Sequence, residues 1–316
     1  MFWRKKSPPT PLGIPLGELR AMLEPTSLKP HFEGDTLVVQ HGLRSIRVEV
    51  VPPATRETAD LPIQAVVRVV SELPAEMSAL FRAREAEMSA TFNAFAALGA
   101  LYLEDGSIRI GSRLTIYDEE NAWDSLQLPL LAMAVIGGSD AILGGARRVM
   151  TNEPSCGGES AWDEEDFAQV ERILSPLCVC SSGRHGFTAE FGLADGELSA
   201  IAGDHRTALF QLLAAEAHPE LGGGLFCLLH MPHRAPDLTQ LQRLCLQLNS
   251  MEMAAHDLPP HFGAWCPGKQ VDSPAYVSFL PNAMHELPGV ATNFAVWAAS
   301  RAQWANAMLA SLGLRA

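Results

Sequence analysis

Residues 92–95 read Phe92-Asn93-Ala94-Phe95, and residues 248–251 read Leu248-Asn249-Ser250-Met251. Each tetrapeptide ends a segment whose apolar residues have helical spacing. Each is followed by two strand-like segments and then by a long apolar helix. Asn93 and Asn249 are 156 residues apart, and the offset grows to 161 at Leu101 and Phe262, as a small insertion would produce. Self-similarity of this kind predicts a tandem duplication.

The order of elements is the same in both halves. Alternating apolar residues such as Ile46, Val48 and Val50 predict strands, and helical spacing predicts helices. The predicted strands are 36–40, 45–51, 63–70, 100–110 and 113–118, then 187–191, 207–213, 225–231, 261–266 and 275–280; the predicted helices are 16–23, 74–95, 125–149, 162–174, 236–253 and 292–312. Such segregated runs predict an α+β fold of two tandem similar modules. Each is an antiparallel sheet packed with helices in the order α-β-β-β-α-β-β-α.

Four segments follow from these boundaries. Residues 1–15 form a flexible tail rich in proline, 16–150 the first module, 151–161 a linker, and 162–316 the second module. The tail begins Met1-Phe2-Trp3-Arg4-Lys5-Lys6. This start is interpreted as a short docking peptide, an interfacial anchor or simply a disordered terminus.

Charge and apolar content exclude several classes of protein. The net charge is −13; residues 1–155 hold 15 basic and 19 acidic side chains, and the remainder holds 8 and 17. An acidic surface without a basic stripe argues against nucleic acid as a partner. The longest apolar run, 128–138, is too short to span a bilayer, and the start lacks the features of a secretory signal. With six scattered cysteines, these features predict a cytoplasmic protein without integral membrane association.

The element order resembles the type III secretion chaperone-like fold, and in particular the bacterial YbjN-like proteins built on it. Phe92-Asn93 with residues 102–110, and Leu248-Asn249 with residues 262–279, carry the resemblance, which covers most of both halves. It implies a noncatalytic module that binds an extended or partly helical polypeptide, usually as a dimer. A fused pair would imitate that dimer within one chain. Secretion chaperones are single small modules, and this chain is twice as long.

Candidate chemistry is concentrated near the second hairpin. His256, His261 and Cys266 have the spacing H-x4-H-x4-C, which zinc accepts, but the separation of His261 and Cys266 puts them on opposite faces of a strand. Polar loop residues and a buried thiol are the other interpretation, so no metal and no cofactor are predicted. Cys266 activated by a nearby histidine is the alternative of a small hydrolase or redox enzyme. Cys178-Val179-Cys180 is a C-x-C pair suited to a reversible disulfide or to metal capture.

Aromatic residues on the second hairpin are the candidates for protein binding. Trp265, Tyr276 and Phe279 alternate along strands, which allows an exposed row that accepts an extended peptide, or a core beneath the last helix. The predicted function is a noncatalytic polypeptide-binding protein acting as a chaperone, adaptor or regulatory scaffold. Its partner is another protein or peptide segment. Self-assembly through sheet edges into a homo-oligomer is a further alternative.

Overall fold

The computed structural model describes residues 14–41, 44–51, 63–117, 123–193, 206–268 and 272–314. Each half of the chain forms one six-stranded antiparallel sheet with helices packed on it. The predicted α+β class with two similar tandem modules is therefore confirmed. Residues 1–13 of the predicted tail lie outside the described residues.

Module 1 is the first of these units. It contains α1 (Ile14–Leu23), β1 (His31–Glu33), β2 (Thr36–His41), β3 (Arg44–Val51), β4 (Ile63–Glu72), α2 (Ala75–Ala83), α3 (Glu85–Asn93), β5 (Ala100–Glu104), β6 (Ser107–Tyr117), α4 (Leu128–Met133) and α5 (Ser139–Met150). A π-helical segment, Ala134–Gly138, joins the last two helices. The strands lie in the order β1-β2-β3-β4-β6-β5.

Module 2 repeats this arrangement. It contains α6 (Glu164–Leu174), β7 (Val179–Gly183), β8 (Gly186–Gly192), β9 (Thr207–Leu213), β10 (Gly224–His230), α7 (Leu238–Ala254), β11 (Ala264–Pro267), β12 (Pro274–Pro281) and α8 (Val290–Ser311). The strand order β7-β8-β9-β10-β12-β11 matches that of module 1 position by position. Equal topology in the two halves is what a duplicated gene segment produces.

Each sheet has one strand more than the sequence pattern predicts. The additional strands are β1 and β7, which pair with β2 and β8 at the outer edges of the sheets. β1 has only three residues, and β7 reads Val-Cys-Ser-Ser-Gly, so neither shows the apolar alternation that marks a half-buried strand. The observed order in each module is therefore α-β-β-β-β-α-β-β-α, with the central helix of module 1 divided into α2 and α3.

The repeated asparagines have the same structural role. Asn93 lies at the end of α3, where its amide donates to the carbonyl of Leu101 (3.0 Å) and its side-chain oxygen accepts from the Leu101 N–H (2.7 Å). Asn249 on α7 makes the same two bonds to Trp265, at 2.9 and 2.7 Å. The structural equivalent of Leu101 is therefore Trp265, 164 residues later, and not Phe262. Each asparagine fixes a central helix to the first strand of the following hairpin.

The apolar helix of module 1 is long. Within the described residues, Ser125–Met150 is one helix that could cross a membrane by length and composition, with a mean hydropathy of 1.6 in its most apolar window, of which 61% is buried. Its buried residues Leu130, Leu131 and Val135 belong to the main hydrophobic core. Such burial is typical of the core helix of a folded domain.

The two modules pack through their central helices. α3 contacts α7, and each also contacts the inner edge strand of the other module, α7 on β5 and α3 on β11. Each central helix thus makes equivalent contacts with the other module, which makes the interface pseudo-two-fold symmetric. Gly111 on β6 permits the close approach, because a Cβ there would lie 3.2 Å from Cε of Met253 on α7 and 2.5 Å from the carbonyl oxygen of Val69. The modules consequently share a tightly packed boundary.

The predicted linker is held against module 2. The N–H of Cys156 donates to the carbonyl of Pro219 (2.9 Å). The side chain of Asn282 donates to the carbonyl of Glu159 and accepts from the N–H of Ala161, both at 2.8 Å. These bonds give the connection a defined path.

Candidate functional site

The three aromatic residues predicted to bind protein lie in the core. Trp265 and Phe279 are fully buried and Tyr276 is 5% exposed. The predicted exposed row is therefore wrong. Trp265 and Tyr276 belong to the main core, which includes residues of the last helix, α8, whereas Phe279 packs in a separate cluster with Ala97 and Ala141 of module 1. Every residue of β12 is buried, so alternation along this strand does not distinguish a solvent-exposed face from a buried face.

The proposed zinc ligands have other surroundings. The Nδ1 atom of His261 lies 2.5 Å from Oε2 of Glu252, and Cys266 is buried on β11. In the part of the chain that the structure describes, no three His, Cys, Asp or Glu side chains are grouped to hold a metal ion. Burial raises the pKa of the Cys266 thiol to about 12, so the thiolate that nucleophilic chemistry needs is scarce at neutral pH.

A buried charged network joins the modules beside His261, one of the residues of the zinc alternative. Arg301 on α8 donates from Nε to Oε1 of Glu252 on α7 (2.7 Å) and from Nη2 to the carbonyl of Pro260 (2.6 Å). Its guanidinium carbon lies 3.9 Å from the ring centre of Tyr276. From module 1, Arg113 on β6 reaches across and donates to the carbonyls of Glu252, Leu258 and Pro259 at 2.8, 3.1 and 2.7 Å.

The backbone of Arg113 also joins the two modules. The N–H of His261 donates to the carbonyl of Arg113 (2.7 Å), and the N–H of Arg113 donates in return (3.3 Å), an isolated antiparallel bridge between the modules. One arginine therefore binds module 2 with its main chain and its side chain. Carbonyl acceptors from the turn after α7 satisfy the buried guanidinium, which is the condition for burying a charge.

Electrostatics fix the protonation of the network. Burial by itself raises the pKa of Glu252. The charges of Arg301, His261 and Arg113 lower it by more than burial raises it, so that the pKa falls to about 2. Burial lowers the pKa of His261, against the opposing effect of Glu252. At neutral pH the glutamate is thus ionised and the histidine neutral. All four side chains are at most 3% exposed, and their partners are groups of the same chain, so the arrangement holds the modules together and offers no space to a substrate.

His218 makes a second contact between the modules. Its Nδ1 accepts from the N–H groups of Glu220 (3.1 Å) and Leu221 (3.2 Å), so its proton is on Nε2, which lies 3.0 Å from the carbonyl of Phe95 in module 1. The ring is fully buried against Phe226 and Phe279. Burial lowers the pKa of His218, although the Phe95 carbonyl and Glu220 oppose this, so the ring is held neutral.

Acidification is expected to weaken this contact. Because the pKa of His218 is lowered in the folded state, the unfolded chain binds the proton first as the pH falls below 6.5. The contribution of His218 is complete above pH 6.5 and is lost as the pH falls toward the lowered value. We expect the wild type to lose more free energy of unfolding than His218→Gln between about pH 7.5 and about pH 5.5 in urea titrations. Equal losses in the two proteins would contradict this assignment.

Module 1 contains a solvent-open cavity of about 310 Å³. It lies between the end of β4, α2 and the turn of the β5–β6 hairpin, and its lining is mixed in charge: Glu72, Arg82, Glu85 and Arg109. Nη1 of Arg109 is already bonded to Glu104 at 2.7 Å. The balanced charges favour neither an anion nor a cation.

The outer edge of the module 2 sheet is open. β7 pairs with β8 on one side, and within the described residues no strand pairs with its other side. Val179 is 75% exposed, and Leu177, just before the strand, is 77% exposed. Ile173 at the end of α6 adds a further exposed apolar side chain. β7 has no charged residue, proline or register shift, the devices that usually protect an edge.

The equivalent edge of module 1 is protected. β1 has three residues, and His31 and Glu33 flank its exposed Phe32. The guanidinium carbon of Arg20 lies 5.9 Å from the Phe32 ring centre. Short length and charge are both features that discourage strand addition. The two modules therefore share a topology and differ in the state of their outer edges.

Each sheet also has a face turned away from α1 or α6, and these two faces differ in how many charged side chains they carry. In module 1, Arg47, Glu49 and Arg68 lie on this face and carry ion pairs, with 3.4 Å between Nε of Arg47 and Oε1 of Glu49. In module 2 the corresponding positions, on β9 and β10, include Leu209 and Leu228, which are half-buried. Module 2 thus combines an open edge with a partly apolar face, which carries the exposed Glu190.

This edge was missed in the sequence because β7 was not recognised as a strand. The available signal was Val179-Cys180 between Pro176 and the turn Gly183-Arg184-His185-Gly186.

Compared with protein families, with characterised proteins and with solved structures, the chain gives no significant match.

Proposed function

We propose that this protein is a noncatalytic polypeptide-binding protein, acting as a chaperone, adaptor or regulatory scaffold. It binds an extended segment of another protein along β7. The observation that carries the proposal is the open edge of module 2, with Val179 and Leu177 exposed beside unpaired backbone. The cytoplasmic location predicted from the sequence belongs to the same proposal.

The chemistry of the edge defines the occupant. Unpaired N–H and C=O groups of an edge strand bind the backbone of an extended chain, and exposed side chains select its residues at alternate positions. Val179, Leu177 and Ile173 favour apolar side chains. Glu190 stands opposite Val179 in the β7–β8 ladder and is exposed, and residues 156–316 carry 17 acidic against 8 basic side chains. The occupant is therefore an extended segment with alternating apolar and basic residues.

The pseudo-two-fold arrangement supports the chaperone or adaptor interpretation. The resemblance to secretion chaperones implies a dimer of modules, and here α3 and α7 pack together as equivalent helices of the two modules. The cysteine-enzyme alternative has less support, because the proposed nucleophile, Cys266, is buried and its pKa is raised. Self-assembly uses the same edge and is resolved by the experiment below.

The test is a binding titration with a defined peptide. The probe is a fluorescent peptide of alternating valine, threonine and lysine, and its matched control carries N-methyl groups on alternate amides, which removes the backbone donors that strand addition needs. We expect the parent peptide to bind and the methylated peptide to bind at least about tenfold more weakly, or about 1.4 kcal/mol. Val179→Ser is expected to weaken binding of the parent peptide, and Phe32→Ser, which removes the exposed apolar side chain of edge strand β1, to leave it unchanged.

Three outcomes would count against the proposal. Equal affinity for the two peptides removes strand addition, and equal effects of the two substitutions remove the specificity for β7. A concentration-dependent dimer in light scattering that Val179→Ser abolishes, with no peptide binding, assigns the edge to a second copy of this chain.

A further inference from the structure

Two thiols lie at the start of β7 and face the same helix: Cys178 is in the bend just before the strand, and Cys180 is on the strand. Sγ of Cys178 lies 3.6 Å from the carbonyl oxygen of Leu174, and Sγ of Cys180 lies 3.9 Å from that of Glu171, both at the end of α6. These two carbonyls are three residues apart in the last turn of α6. Both are half-buried, whereas Cys227, Cys245 and Cys266 are buried and Cys156 is exposed elsewhere. The side chains of Cys178 and Cys180 are thus adjacent and accessible.

We propose that Cys178 and Cys180 form a dithiol site that exchanges with low-molecular-weight disulfides of the glutathione class and closes to a Cys178–Cys180 disulfide. The thiolate of one cysteine attacks the small disulfide, which forms a mixed disulfide and releases one small thiolate. The second cysteine then attacks the protein sulfur of the mixed disulfide and releases the second small thiolate. The protein loses two protons and two electrons, and the small disulfide is reduced to two thiols.

The backbone permits ring closure. Residues two apart in an extended strand have Cα atoms about 6.6 Å apart, at the upper end of the range of about 4.4–6.8 Å found across disulfides. Cys178 lies in the bend before β7, and the β7–β8 ladder begins at Val179. The residue that has to adjust is therefore outside the ladder.

The surroundings distinguish the two cysteines. Burial raises the pKa of Cys178, and the thiol of Cys180 raises it further. The first attack is bimolecular and depends strongly on the thiolate fraction, whereas the second takes place between two groups already held close together, and so Cys178 is better suited to the second step. The nearby carboxylate of Glu171 accepts a hydrogen bond from the N–H of Ser182 at 3.0 Å and also one from its hydroxyl, and so is already engaged.

Closure affects the edge that the proposed function uses. Val179 lies between the two cysteines in the sequence and is the exposed apolar residue of β7. A disulfide constrains Val179 within a small ring and moves at least one thiol from its carbonyl on α6. This part of the inference rests on the proposed function: oxidation is expected to weaken binding of the extended peptide.

Mass spectrometry tests the chemistry without a binding partner. The folded full-length chain is equilibrated in buffers of reduced and oxidised glutathione, quenched by alkylation and digested. We expect the peptide containing residues 178–180 to lose the mass of two hydrogen atoms in wild type, and Cys178→Ser to retain a glutathione adduct on Cys180. Cys156→Ser is the control and is expected to form the disulfide like wild type. Absence of the two-hydrogen loss in wild type, under conditions that glutathionylate Cys156, overturns the inference.

The peptide titration then separates the two proposals. A reduced protein that binds the valine–threonine–lysine peptide, with at least about tenfold weaker binding after oxidation, supports both. Unchanged binding after oxidation overturns the link between the disulfide and the edge. Disulfide formation in a protein that binds no peptide in either state leaves the dithiol site intact and counts against the proposed function alone.

Discussion

Glu252→Gln is expected to lower the free energy of unfolding by about 4 kcal/mol, because it leaves two buried guanidinium groups without their countercharge. Glu252 is fully buried, and its carboxylate accepts from Arg301 at 2.7 Å and contacts His261 at 2.5 Å. Removing one partner of a buried ion pair costs far more than the pair contributes over an apolar substitute. The measurement is urea unfolding at neutral pH, followed by tryptophan fluorescence.

A double-mutant cycle assigns the effect to the pair. Arg301→Gln alone is expected to be similarly destabilising, and the double variant to be less destabilised than the sum of the two by about 2 kcal/mol. Glu286→Gln is the matched control, since that side chain is 94% exposed, and its effect is expected to stay within about 0.5 kcal/mol. Additive effects of the two buried substitutions would show that the charges act independently.

The pH dependence of the free energy of unfolding is a second test of the role of Glu252. The folded-state pKa of Glu252 is lowered from 4.5 to about 2, so its contribution to stability is complete above pH 4.5 and is lost as the pH falls through about 2. Glu252→Gln removes this contribution at every pH. The difference in free energy of unfolding between wild type and variant is thus expected to shrink in acid.

Asn249→Ala is expected to cost about 3 kcal/mol, because it leaves the N–H and C=O of the buried Trp265 without partners. The two bonds, at 2.7 and 2.9 Å, connect α7 to β11 where no strand ladder replaces them. Asn93→Ala breaks the equivalent bonds to Leu101 and is expected to cost a similar amount. Thermal and urea unfolding measure both.

Asn293→Ala is the control for these substitutions. Asn293 donates to the carbonyl of Gly289 at 2.9 Å in an exposed first turn of α8, so its loss is expected to cost well under 1 kcal/mol. If Asn249→Ala were as mild as this control, the repeated asparagine would not have the structural role assigned to it.

The sequence predicted the fold more completely than the site. The tetrapeptides around Asn93 and Asn249 mark the same junction in both modules, and the structure gives them the same hydrogen bonds. Alternation found the half-buried strands, except that the predicted strand 100–110 crosses the turn between β5 and β6, and the predicted strand 113–118 is the second part of β6. It missed β1 and β7, since a three-residue strand and a Cys-Ser-Ser-Gly segment contain too few apolar residues to show a period.

The exposed aromatic row was wrong for a related reason. Alternation shows which residues share a face of a strand, and it does not show whether another module covers that face. β12 is buried throughout, so Tyr276 and Phe279 are both in the core. The charged network was equally hidden, because Glu252 and Arg301 meet only when module 2 has folded, and Arg113 joins them only when the two modules have packed.

Divergence of the outer edges has a consequence for stoichiometry. A homodimer of identical modules presents every surface twice, and any change that opens one edge opens both. In the fused chain, β1 is short and flanked by charge while β7 is longer and uncharged, so the two copies have evolved independently. Under the proposed function, gene fusion thus gives a symmetric scaffold a single binding valency, with β7 as the acceptor edge in the part of the chain that the structure describes.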